Sequence, residues 1–145
     1  MAQDSSKRLR KSLTTVGSIM TTGVVTLAAE ENFSKAVDLM ASGAFRHLVI
    51  SDDGKKLNGI LSDRDLLGAR NRISEWRLLK VKQVMSTNLI TVKADTLISD
   101  AVTLMLSNRI NCLPVIDSAG SLSGIITSTD LLESYRDLLK ELAAE

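Results

Sequence analysis

Residues 81–132 repeat residues 16–67. Aligned without a gap at an offset of 65, the two segments share 19 identities in 52 positions. They include Met20/Met85, Thr26/Thr91, Ser34/Ser99, Ala36-Val37/Ala101-Val102, Leu39-Met40/Leu104-Met105, Gly59/Gly124 and Asp65-Leu66-Leu67/Asp130-Leu131-Leu132. These identities fall on apolar, turn and carboxylate positions alike, so shared amphipathicity does not account for them. A tandem duplication does. With 145 residues, the chain fits one compact domain or two half-size units sharing one core. A duplicated unit favours binding over catalysis, because nothing in it sets one copy apart as an active site.

Within the first copy, Val24-Val25-Thr26-Leu27 is short and β-prone. Ala36, Val37, Leu39 and Met40 then form a helical stripe, with Ser34 placed to cap it and Gly43 to stop it. Leu48-Val49-Ile50 reads as a buried strand, Asp52-Asp53-Gly54-Lys55 as a turn, and Leu57 to Leu61 as the return strand. Ser62 or Asp63 caps a following helix that includes Leu66 and Leu67. The order is β-α-β-β-α, and the first helix is long enough to let the first two strands run parallel. The second copy repeats this order. The expected fold class is therefore α/β (α+β): two β-α-β-β-α repeats packed sheet to sheet with pseudo-twofold symmetry. Aromatics are only 3% of the chain, so the core must come from aliphatic residues, with Met20, Met40, Met85 and Met105 among them.

Five segments follow from this reading. Residues 1–15 are a basic leader, with Lys7, Arg8, Arg10 and Lys11; Ser5 or Ser6 could cap a short helix with Leu9 and Leu13 on one face. Residues 16–67 and 81–132 are the repeats. Residues 68–80 form a basic connector whose Trp76 is expected to pack it onto the body. Residues 133–145 complete an amphipathic C-terminal helix with Leu131, Leu132, Tyr135, Leu138, Leu139 and Leu142 on one side. No apolar run approaches the ~20 residues of a membrane span, no hydrophobic segment follows the basic start, and a single cysteine excludes an internal disulfide framework. A cytoplasmic setting is the simplest expectation. The net charge of +1 gives no global bias toward nucleic acid or membrane.

The chemistry concentrates at the end of each repeat, Gly59-Ile-Leu-Ser62-Asp-Arg64-Asp65-Leu and Gly124-Ile-Ile-Thr127-Ser-Thr129-Asp130-Leu. A carboxylate can accept two hydrogen bonds from a ribose diol, and a hydroxyl at a helix start beside free N–H groups suits a phosphate. Either Asp alone reads equally well as a helix cap. The duplication, the upstream glycine and the hydroxyl tilt both toward ligand binding. The sequence resembles paired CBS domains (the Bateman module). The resemblance rests on Ile19-Met20-Thr21, Arg46-His47-Leu48-Val49-Ile50 and Gly59 to Leu66, and again on Val84-Met85-Ser86, Cys112-Leu113-Pro114-Val115 and Gly124 to Leu131. It covers residues 16–135.

What the resemblance implies is a regulatory module binding AMP, ADP or ATP in two clefts between the repeats, with S-adenosylmethionine or a dinucleotide as alternatives. Carried over, one cleft combines Thr127, Thr129 and Asp130 with Thr21, Thr22, Val24, Arg46 and His47. The other combines Ser62, Arg64 and Asp65 with Ser86, Thr87, Leu89, Asn111 and Cys112. Because Arg46 and His47 are cationic or can become so, the Asp130 cleft is expected to be the tighter one for a phosphate. The resemblance also implies a homodimer and a regulated enzyme or transporter elsewhere. No catalytic residue and no metal site is expected. His47 and Cys112, equivalent in the repeats, read as interior strand residues before they read as a Cys–His pair or a thiol-based metal site, and no cluster has zinc-ligand spacing. A structural dimerisation module with empty clefts is the rival reading. A nucleic-acid role for the basic leader is a distant third.

Overall fold

A computed structural model describes residues 3–4, 14–43 and 45–145. The leader helix suggested by Leu9 and Leu13 lies outside the described residues. The chain divides into two compact units that do not coincide with the sequence repeats. A continuous unit spans Val24–Leu89, and a split unit joins the described residues up to Gly23 with Ile90–Glu145.

The continuous unit contains β1 (Thr26–Leu27), α1 (Phe33–Ala41), β2 (His47–Ile50), β3 (Gly59–Ser62) and α2 (Asp63–Arg72). Its sheet has the order β1-β2-β3. Strands β1 and β2 are parallel, with Thr26 opposite Val49, as the crossover through α1 requires. Strands β2 and β3 form an antiparallel hairpin running from His47 opposite Ser62 to Ile50 opposite Gly59. The core holds Leu27, Phe33, Ala36, Leu48, Ile50, Leu61 and Leu66. It also holds Val81, which is fully buried although it opens the second sequence repeat. Helix α2 continues through Arg72, into the segment read as connector. Trp76 meets the Phe33 ring edge-on at 6.1 Å, and Arg77 and Arg70 lie over its ring at 4.3 and 5.1 Å. The connector is packed by its tryptophan, as expected.

The split unit contains α3 (Ile98–Asn108), β4 (Cys112–Ile116), β5 (Leu122–Thr127) and α4 (Ser128–Ala144). Strands β4 and β5 pair antiparallel, with an irregularity between Val115 and Ile116. The strand expected ahead of α3 is reduced to a single parallel bridge, Val92 to Val115. Val16, Val92, Ala101, Met105, Leu113, Val115 and Ile126 form the core.

The lead-ins are exchanged between repeats. Gly17 N–H donates to the Ala94 carbonyl and Val16 N–H to that of Thr96, both at 2.8 Å. Correspondingly, Lys82 N–H donates to Ala29 at 3.0 Å and Val81 N–H to Glu31 at 2.9 Å. This exchange corrects the reading of Ser34 and Ser99 as helix caps. Both serines are the second residue of their helix, the N-cap positions are Asn32 and Leu97, and neither helix has a side-chain cap. Backbone carbonyls of the exchanged lead-ins take the first helical N–H groups instead: Leu79 accepts from Phe33 at 2.9 Å, and Thr14 from Ile98 at 2.8 Å. An N–H satisfied by a carbonyl needs no serine hydroxyl.

Candidate ligand-binding site

Each unit has one corner where the last strand of its hairpin turns into a helix. In the split unit Thr127 is the N-cap of α4 and forms a capping box with Asp130. Asp130 Oδ2 accepts from Thr127 N–H at 2.8 Å, while Thr127 Oγ1 accepts from Asp130 N–H at 3.4 Å. In the continuous unit Ser62 and Asp65 do the same for α2, at 2.9 and 3.1 Å. Both carboxylates therefore cap helices, and the capping leaves one oxygen of each for other work.

The exchanged lead-ins run beside these corners. Thr21 and Ile125 exchange backbone hydrogen bonds at 2.8 and 3.0 Å, and Ser86 and Ile60 do so at 2.8 and 3.0 Å. Glycine makes this approach possible. A Cβ on Gly124 would lie 2.5 Å from the Thr21 carbonyl oxygen, and one on Gly59 would lie 2.6 Å from Met85 Sδ and 2.9 Å from the Ser86 carbonyl oxygen. The glycines belonged to the motif, but their role was missed; the signal was a glycine directly before an Ile in both copies.

The corners differ in detail. Thr21 Oγ1 donates to Asp130 Oδ1 at 2.9 Å. Among the described residues, Asp65 is hydrogen-bonded only through the Ser62 capping box, so its Oδ1 stays open. The residues beginning the hairpins differ too. Asp63 N–H donates to the Arg46 carbonyl at 2.9 Å, and Ser128 N–H to that of Asn111 at 3.0 Å. His47 is the register partner of Ser62, and Cys112 of Thr127. Arg46 and His47 thus adjoin Asp63 and Ser62 at the Asp65 corner of the continuous unit. Asn111 and Cys112 stand at the Asp130 corner. Hairpin geometry is the reason: the residue that opens one strand faces the residue that closes the other.

The remaining positions follow the same division. Thr22 and Thr129 are exposed residues of the split unit; Val24, Arg64, Thr87 and Leu89 belong to the continuous unit. Cys112 is buried, and burial, reinforced by the Asp130 charge, pushes its thiol up to about 12. It is a neutral packing group at physiological pH, not a nucleophile. Among the described residues no group of three or more His, Cys, Asp or Glu side chains is placed to hold a metal ion. No helix there is long and apolar enough to cross a membrane.

A family model described as "CBS domain" matches residues 16–72 and again residues 81–137. The chain belongs to the CBS-domain family. This CBS pair is similar to inosine-5'-monophosphate dehydrogenase of Methanocaldococcus jannaschii, 32% identical over 110 residues, covering 76% of this chain and 21% of that protein. The chain spans 21% and 27% of the length of the first two curated relatives it matches. Among solved structures, AcuB of Vibrio cholerae, described as an acetoin utilization protein, superposes with a TM-score of 0.79 at 32% identity. That match covers 90% of this chain and 96% of the other. The structure of CBSX2 in complex with AMP superposes with a TM-score of 0.76 at 27% identity, covering 86% and 98%.

Proposed function

We propose that this CBS pair is a regulatory module that binds an adenine nucleotide, AMP, ADP or ATP, at its two hydroxyl–carboxylate corners. The observation that carries the reading is the corner itself, present twice. In each, a helix-capping Asp stands beside a small hydroxyl and an exchanged lead-in that brings a second hydroxyl residue, Thr21 or Ser86. The AMP complex of a 27% identical CBS protein supports the ligand class. Asp65 and Asp130 would accept the ribose hydroxyls, and hydroxyls and cations near the helix starts would hold the phosphate. Thr22, Thr87, Thr129, Val24 and Leu89 flank these groups. The bound state would be read by a partner enzyme or transporter, and a homodimer belongs to the same reading, which light scattering would check.

Two features favour the Asp65 corner for an anionic ligand, reversing the ranking drawn from sequence. Arg46, His47 and Arg64 belong to it, and a charge-assisted hydrogen bond contributes ~1.5–3 kcal/mol against ~1 for a neutral one. Asp65 Oδ1 is also open, whereas Thr21 already occupies one lone pair of Asp130 Oδ1. Calorimetric titration of AMP into the wild type, Asp65→Asn and Asp130→Asn tests this, with melting temperatures confirming that each variant folds. Asp65→Asn should cost at least tenfold in affinity and Asp130→Asn less. An equal or larger loss in Asp130→Asn would reverse the ranking. Absence of heat and of thermal stabilisation with every adenylate at millimolar concentration would remove the ligand class and leave an interaction module. A ligand at 100 times its Kd adds ~2.7 kcal/mol, so the assay has ample range.

A further inference from the structure

Helix α2 and the connector after it gather unpaired cations and exposed apolar groups on one stretch of the continuous unit. Arg70 and Arg77 both lie over the Trp76 ring, at 5.1 and 4.3 Å from its centroid, and both are exposed. Among the described residues neither guanidinium meets a carboxylate, nor does that of Arg64 in the first turn of α2. Arg72 instead turns back on the Gly68 carbonyl, at 3.3 Å. Leu67, Ile73 and Leu78 are 61%, 41% and 74% exposed. Among the described residues the unit's only other exposed large apolar side chain is Val25. Leu67 and Arg70, three apart on α2, share a face, so the apolar and cationic groups adjoin.

We propose that this stretch is the docking surface for an acidic segment of a partner protein, one that sets carboxylates beside aliphatic side chains. Charge complementarity selects that chemistry. Two like charges on one ring repel, and carboxylates arriving beside them relieve the repulsion. Arginine forks accept paired carboxylates bidentately. Packing on the indole holds both forks before a partner comes, so less freedom is lost on binding. Nucleic acid fits worse. Single strands stack their bases on open aromatic faces, and the Trp76 ring is already taken by Phe33 and the two arginines. An anionic lipid surface asks only for diffuse charge and has no use for fixed forks. The proposal rests on the regulatory reading only for the existence of a partner.

Trp76 is the chain's only tryptophan, so its emission reports on this surface alone in the full-length protein. The probe is a synthetic amphipathic helix of glutamate and leucine, titrated by fluorescence and by calorimetry. A saturable change in Trp76 emission is expected. Arg70→Gln with Arg77→Gln should weaken binding by roughly tenfold or more, with melting temperatures confirming the fold. Replacing the peptide's glutamates by glutamines should weaken it as much, and that arm needs no variant protein. Four results would overturn the proposal. They are no saturable binding at millimolar peptide, undiminished binding of the glutamine peptide, and tighter binding of a single-stranded oligonucleotide or of phosphatidylserine vesicles. The fourth is emission that changes on dilution of the protein and not with peptide, which would make a second copy the occupant. No nucleotide enters the measurement, so its failure is distinguishable from failure of the ligand reading.

Discussion

Cys112 and His47 are equivalent residues to which the fold gives different surroundings. Burial holds the Cys112 thiol protonated up to about 12, against an ordinary value of 9.0. Below pH 9 folded and unfolded chains both carry the proton, and the thiol's contribution to stability is fully in place. Between pH 9 and 12 the unfolded chain loses the proton first, so stability falls as pH rises, by on the order of 4 kcal/mol over the window. Urea titrations at pH 8 and pH 10 should show a steeper loss for the wild type than for Cys112→Ala; parallel losses would contradict the assignment. The glycines give a second residue-scale expectation. Gly124→Ala drives a methyl against the Thr21 backbone and should cost ~1–3 kcal/mol in denaturant unfolding. Gly59→Ala meets the flexible Met85 side chain first and Ser86 backbone second, so it should cost less.

Among the elements, helices α2 and α4 start alike and α1 and α3 start alike, but the two pairs use different chemistry. The first pair is capped by side chains. Thr127→Ala and Ser62→Ala should each lower stability by ~1 kcal/mol in chemical denaturation, and a loss near zero for either would contradict its capping box. The second pair is capped by carbonyls from the exchanged lead-ins, so Ser34→Ala and Ser99→Ala should change stability by less than ~0.5 kcal/mol. Apart from the strand expected ahead of α3, the elements were legible. Apolar spacing marked α1, the Asp-Gly turn marked the β2–β3 hairpin, and Ser62 or Asp63 marked the start of α2, of which Ser62 is the cap. The serine caps were misread because a serine near a helix start is a local cue, whereas the carbonyls that replaced it come from Leu79 and Thr14, far along the chain.

For the whole molecule, the duplication was plain from the residues alone, whereas the exchange of lead-ins entered only with the family resemblance, which grouped Thr21 with Asp130 and Ser86 with Asp65; an offset of 65 by itself fits either partner equally well. The compact unit is Val24–Leu89, and the repeat is a different cut through the same chain. A fragment covering 24–89 keeps Leu79, Val81 and Ser86, whereas one covering 16–72 lacks the groups that cap α1 and pair with β3. The first should therefore show a cooperative urea transition by circular dichroism and the second should not; equal cooperativity would deny the exchange its structural weight. The same exchange imposes an order on synthesis. As the chain leaves the ribosome, the continuous unit has all its parts once Leu89 is out. The segment Val16–Thr21, made earlier, must wait for Ala94, Thr96, Ile125 and finally Asp130, 109 residues beyond Thr21. Long-range closure of that kind is slow, so the earliest of these segments to be made is among the last to find its place, and a nascent chain carries it unpaired until Asp130 has been made.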